Sequence, residues 1–225
     1  MALTPDILAA DIHKRMTDDP RFGYSWAERW GHAPEAWTVD GKAVTVNVGD
    51  YDCSSSTITA WALALRAFGL GDVLAAASFT GNMRYVFLRT GLFEWRTDFA
   101  NAKRGDLYLN EGAHVAMCQG NGRLTEFISN EFGGCYGGQR GDQTGFESRE
   151  NGYYWYPWDG YLHYIGTLGD DDIVTEADKK DIARLTAEEI LNRILAVNGE
   201  ANGVPFWQLV SWTYRYAKDL AKAKK

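Results

Sequence analysis

The sequence predicts an α+β protein: a buried helix packed on an antiparallel sheet, followed by a helical C-terminal appendage. Three observations predict it. An apolar stripe at helical spacing (Ile58, Trp61, Ala62, Leu65, Phe68) follows Cys53. Two strand-like runs flank Gly120-Asn121-Gly122, a strong hairpin signal. Helical periodicity then returns beyond an acidic break at Gly169-Asp170-Asp171-Asp172. The composition, 45% hydrophobic and 24% charged over 225 residues, is ordinary for a packed protein.

Each element has a local reason. Thr4-Pro5-Asp6 starts a helix, with Thr as N-cap, Pro at the first helical position and Asp in the first turn. Leu8, Ile12 and Met16 give that helix an apolar stripe, and Asp18-Asp19-Pro20 ends it. Residues 21–42 read as an aromatic loop holding Trp26, Trp30 and Trp37, and residues 43–48 as a short strand. The helix after Cys53 closes at Gly69. A second helix runs from Thr80 to Arg89 and closes at Gly91.

Lys103-Arg104-Gly105-Asp106 turns the chain into a strand at Leu107-Tyr108-Leu109. Ala113 to Gln119 and Arg123 to Ile128 form the predicted hairpin. A glycine-rich loop spans Gly133 to Gly145, and Tyr161 to Ile165 is the last strand. These elements set a domain over residues 1–168 and a helical segment over 169–225. In the latter, Thr186 to Glu189 is a capping box, and Pro205 opens a helix with Phe206, Val210 and Tyr214 on one face. That stripe needs a surface: the first domain, a second copy of the chain, or a target.

Charge and cysteine usage exclude several functions. The formal net charge is -7, and no Lys/Arg block precedes the last few residues. A net-acidic chain without a cluster of cations to displace phosphate counterions is not expected to bind nucleic acid. No apolar run is long enough to cross a bilayer, and the first residues lack the basic and apolar regions of a secretory signal. Cys53, Cys118 and Cys135 have neither the number of a disulfide framework nor the spacing of a zinc site. No metal or other cofactor is expected.

The residues that carry chemistry start from Cys53. A helix N-terminus favours a thiolate, because free N–H groups and the macrodipole stabilise the anion. His114 at a strand start is the candidate base. A third polar group, Glu126 or Asn130, would orient the imidazole. Side chains alternate across a strand, so His114, Ala116 and Cys118 share a face. A two-residue Asn121-Gly122 turn would pair Met117 with Glu126 and turn Glu126 away from His114. A three-residue loop would pair Ala116 with Glu126 and bring it onto that face. Dipeptide preference favours the first, and the chemistry requires the second. Tyr51 and Asp52 flank the nucleophile and are candidate substrate contacts, with Tyr51 a candidate oxyanion donor. Trp155 and the loop tryptophans either wall a substrate groove or pack inward.

Asp52-Cys53-Ser54-Ser55, Gly105-Asp106-Leu107, His114-Val115-Ala116-Met117 and Gly120-Asn121-Gly122 together resemble the motifs of NlpC/P60 and CHAP-type cysteine peptidases. The tail from Gly141 to Glu147, with Tyr153-Tyr154 and Pro157-Trp158, is similar to the end of that domain in phage endolysins. Ala116 stands where the family usually has Gly. The resemblance implies a papain-like fold and a thiol mechanism with Cys53 as nucleophile, His114 as base and Glu126 (or Asn130) as third residue. It implies hydrolysis of an amide of bacterial peptidoglycan, either within the stem peptide or between muramic acid and L-alanine. It also implies synthesis in the host cytoplasm and release through a holin partner. The alternative on the same fold is a non-catalytic wall-binding or assembly module.

Overall fold

The computed structural model describes residues 2–166. The expected C-terminal helices, and with them the proposed boundary at 168/169, lie outside the described residues.

Helix α1 (Pro5–Asp18) begins after Thr4, which has extended backbone but makes no side-chain capping bond. Its buried stripe is Leu8, Ala9, Ile12, His13 and Met16. Helix α2 (Cys53–Ala67) has Cys53 as its first helical residue. Asp52 is its N-cap and accepts from the Ser55 amide at 2.7 Å, while the Asp52 amide donates to Ser55 Oγ at 2.9 Å. This reciprocal box fixes where the helix starts, and so where the cysteine stands. Helix α3 (Thr80–Arg89) is as expected.

The stretch read as an aromatic loop is instead partly a hairpin. Strands β1 (Ala33–Val39) and β2 (Lys42–Val48) pair antiparallel through an Asp40-Gly41 turn in which both residues have positive φ. Trp37 is buried, not a groove residue, and the Arg15 guanidinium lies over its ring at 4.1 Å. Asp-Gly between alternating apolar residues is itself a hairpin signal in the sequence.

The remaining strands are β3 (Phe93–Arg96), β4 (Leu107–Asn110), β5 (His114–Gly120), β6 (Arg123–Phe127), β7 (Ser148–Gly152) and β8 (Gly160–Tyr164). They form one antiparallel sheet in the order β3-β8-β4-β5-β6-β7. Leu107, Leu109, Val115, Met117, Phe127 and Leu162 face the core shared with α1, α2 and α3. Tyr108, Ala116, Cys118, Leu124 and Tyr161 face the opposite way and are covered by Trp158 of the segment after β7. Strands β3 and β7 were not expected. β7 (Ser-Arg-Glu-Asn-Gly) is polar and carries no strand signature.

The β5–β6 register resolves the conflict between turn preference and chemistry. Asn121 and Gly122 form a two-residue turn with φ of 52° and 68°. Gly120 pairs with Arg123 across it. Past a bulge at Gln119, Cys118 pairs with Leu124 and Met117 with Thr125. The extra residue shifts the ladder by one, so Ala116 stands opposite Glu126 and Glu126 shares the face of His114.

His13 bolts the layers together. It is fully buried, 2.6 Å from Thr125 Oγ1 on β6 and 3.1 Å from Ser56 Oγ on α2. Burial pushes its pKa down to about 3, against a weaker upward pull from Glu126. The folded value lies below the unfolded 6.5. Its stabilisation is therefore complete above that pH and is lost as acid protonates the unfolded chain first. Urea midpoints are expected to fall by the equivalent of about 2 kcal/mol between roughly pH 6.5 and pH 5. His13→Asn should flatten that slope.

Candidate active site

Cys53 is buried with 7% exposure at the start of α2. The backbone amides of Val115 and Ser54 favour ionisation of its sulfur. Val115 follows His114, so the nucleophile helix, packed on the core face of the sheet, meets the first residues of β5 at the strand's end. His114 Nε2 lies 3.0 Å from Glu126 Oε2. With Nε2–H donating to that carboxylate, Nδ1 carries the free lone pair. The His114 ring stacks on Trp158, with centroids 5.8 Å apart, and meets Tyr156 edge-on at 5.7 Å. Burial first, then the negative forms of Cys53 and Glu126, push the Tyr156 pKa up.

Glu126 is fully buried and satisfied. Besides His114, Tyr154 Oη donates to Oε2 at 2.7 Å and Arg149 Nε to Oε1 at 3.0 Å. Burial raises its pKa, but hydrogen bonds from His114, Tyr154 and Arg149 outweigh burial and hold it below the ordinary glutamate value. The carboxylate stays ionised and can balance an imidazolium.

The thiol departs from expectation. Burial first, then the neighbouring Asp52 carboxylate, push Cys53 up to about 12, against the Val115 and Ser54 amides and the Arg29 guanidinium. The helix terminus does not by itself hold a thiolate here. The resting group is a neutral thiol that needs a base.

Other sequence candidates stand differently. Tyr51 is buried and its hydroxyl donates to Asn47 O at 2.7 Å, so it is a packing residue rather than an oxyanion donor. Asp52 is buried, and its carboxylate is taken up by the Ser55 amide, Ser54 Oγ and Arg29 rather than open to substrate. Asn130 is committed elsewhere: its amide clamps the glycine-rich loop. Nδ2 donates to Tyr136 O at 2.9 Å and Gly137 O at 2.7 Å, and Oδ1 accepts from the amides of Phe132 and Gly134. Asn130→Ala is expected to cost about 2–3 kcal/mol of local stability. Chymotrypsin should then nick the chain at Phe132 or Tyr136 well before the wild type, as read by peptide mass spectrometry. Trp155 is 84% exposed on the segment joining β7 to β8 and remains open to substrate.

Four residues to which the sequence assigned no catalytic role complete the site. Tyr154 and Arg149 hold Glu126; Tyr156 and Trp158 hold the His114 ring. Their segment is pinned to the end of β4 by Asp159 N to Leu109 O (2.9 Å) and Asn110 Nδ2 to Pro157 O (2.6 Å). Tyr24 is a fifth. Burial first, then the Cys53 sulfur, push its pKa up, and its hydroxyl accepts from Trp26 Nε1 at 3.0 Å, leaving its own proton to donate. Among the described residues, no His, Cys, Asp or Glu cluster is arranged to hold a metal ion. None of their helices is long and apolar enough to cross a membrane.

A cysteine at a helix start, with a histidine and its buried acid paired on the sheet that the helix packs against, defines a candidate thiol hydrolase on an α+β scaffold. Residues 6–125, more than half of the chain, match the endolysin-like domain family. The chain belongs to that family, and a helix packed on an antiparallel sheet is the α+β arrangement that the sequence predicts. It is similar to the P60 domain of an antigen from M. avium subspecies paratuberculosis, at 21% identity and a TM-score of 0.39. The likeness covers 71% of this chain and 96% of that one. It is also similar to the peptidoglycan hydrolase RipB from Mycobacterium tuberculosis, at 18% identity and a TM-score of 0.39. That match covers 75% of this chain and 70% of the other. No curated protein matches the sequence.

Proposed function

We propose that the chain is a peptidoglycan hydrolase of phage endolysin type, cleaving a wall amide by thiol chemistry. The observation that carries the reading is the His114–Glu126 pair, Nε2 to Oε2 at 3.0 Å, on the strand whose Val115 amide favours ionisation of Cys53 at the start of α2. Family membership supplies the substrate class.

In this mechanism His114 Nδ1 takes the thiol proton as sulfur attacks the amide carbonyl. The Cys53 amide at the helix start and the Tyr24 hydroxyl are the donors available to the oxyanion. Collapse breaks the C–N bond, and His114 returns its proton to the leaving amine. Water, deprotonated by the same nitrogen, then attacks the thioester and frees the thiol. Glu126 holds the ring in the tautomer that leaves Nδ1 free and balances the imidazolium. The scissile bond lies within the stem peptide or between muramic acid and L-alanine.

The test is digestion of purified bacterial walls by wild type and Cys53→Ala, with new termini identified by mass spectrometry. New free amino groups from the wild type alone are expected, and the residue bearing them names the bond. Equal release by both proteins would overturn the reading.

A further inference from the structure

Asp52 presents a chemical problem. Its side chain is needed to cap α2, yet Asn caps a helix about as well without a charge. A carboxylate one residue before the nucleophile opposes formation of a thiolate. The arrangement works only if that charge is balanced, and the residue that balances it lies in the loop before β1. Arg29 Nε stands 2.7 Å from Asp52 Oδ2. Its Nη2 donates to Asp52 Oδ1 at 3.2 Å, to Ser54 Oγ at 2.7 Å and to Ser78 O at 2.6 Å. Ser54 Oγ in turn donates to Asp52 Oδ1 at 2.8 Å. The Asp52 side chain is 5% exposed and that of Arg29 24%, so solvent and salt screen the pair weakly.

The loop that carries Arg29 is itself fixed. Ser25 Oγ accepts from the amides of Ala27 and Glu28, and the Gly31 amide donates to Asp50 O at 3.0 Å. Trp30 forms a β-bridge with Tyr51, two residues before the nucleophile. Glu28, the acid nearest Arg29 in sequence, is engaged by Arg140 at 2.8 Å, which leaves Arg29 to Asp52.

We propose that Arg29 is a positioning residue of the thiol site: by pairing with Asp52 and Ser54 it neutralises the helix cap and sets how readily Cys53 ionises. The inference rests on Cys53 being the nucleophile. Of the charged side chains that act on the sulfur, Asp52 opposes its ionisation and Arg29 favours it; Tyr24 and Tyr156, which also sense the sulfur, are held neutral by burial, and the base His114 is paired with Glu126 on the sheet. Among the described residues, the Arg29–Asp52 pair is therefore the fixed charge that mutagenesis can alter without touching the base.

The test reads the thiol directly. Iodoacetamide alkylation of Cys53 is followed at about pH 8 and low salt by peptide mass spectrometry. The proteins are the wild type, Arg29→Met, Arg29→Lys, Asp52→Asn and the Arg29→Met/Asp52→Asn double variant. Arg29→Met is expected to alkylate about tenfold more slowly and Asp52→Asn about tenfold faster. Arg29→Lys and the double variant should lie within about threefold of the wild type. A folded Arg29→Met that alkylates at the wild-type rate, or an Asp52→Asn no faster than wild type, overturns the proposal. If Arg29→Met does not fold, Asp52→Asn and Arg29→Lys still decide, because a merely structural arginine gives no reason for Asp52→Asn to speed the reaction. Alkylation as expected, with no wall cleavage by the wild type, would overturn the proposed function and leave the charge relation standing.

Discussion

Replacing His114 with alanine is expected to lower wall hydrolysis by about a thousandfold or more while leaving the fold intact. The size follows from the state of the thiol. With burial and Asp52 holding Cys53 up at about 12, almost none is ionised near neutral pH. Attack therefore depends on a base placed to take the proton as the bond forms. The fold should tolerate the change. His114 lies at the first residue of β5 with its side chain 12% exposed, and its contacts are a stacked Trp158 ring, the edge-on Tyr156 ring and one acid rather than the core. Turbidity loss of wall suspensions should fall with a melting temperature close to wild type. Retained activity in His114→Ala would remove the general base from the account.

The second large effect is at Glu126, where activity and stability should part company between two substitutions. Glu126→Gln keeps an acceptor for Tyr154 and His114 but removes the charge that balances an imidazolium. Activity is expected to fall about ten- to a hundredfold, with a smaller loss of stability. Glu126→Ala leaves three donors facing a buried void and should also cost about 2–4 kcal/mol, discounted because Arg149 is partly exposed and can return to water. The folded carboxyl lies below its ordinary value, so its stabilisation is complete above the unfolded pKa and is lost as pH falls through the folded one. Chemical denaturation at neutral pH, set beside wall turbidity for the same two variants, separates these effects. A Glu126→Ala protein as stable as wild type would show that the carboxylate is not the hub described.

How much of this was legible beforehand varies with how local each feature is. The position of Cys53 was readable because a capped helix start is written in adjacent residues, Asp52 through Ser55. The pairing of His114 with Glu126 was readable only as a condition on register. The bulge at Gln119 that meets it leaves no mark of its own, since Gly120-Asn121-Gly122 permits both a two- and a three-residue loop. The β1–β2 hairpin was written in Asp40-Gly41 and was obscured by the tryptophans around it. Asn130 matched a family pattern, but four hydrogen bonds commit it to a loop. The raised pKa of the thiol is not legible, because a helix dipole is visible in sequence and burial is not. Tyr154, Arg149 and Tyr24 reach the site across the fold, from residues that no spacing rule connects to Cys53.

The most direct measurement follows the sulfur itself. Protein incubated with soluble wall fragments is quenched in acid, and the peptide carrying residue 53 is weighed. The account predicts a thioester adduct on that peptide, matched by release of a free amine and absent from Cys53→Ala and His114→Ala. Amine release without an adduct, continuing undiminished in Cys53→Ala, would contradict it.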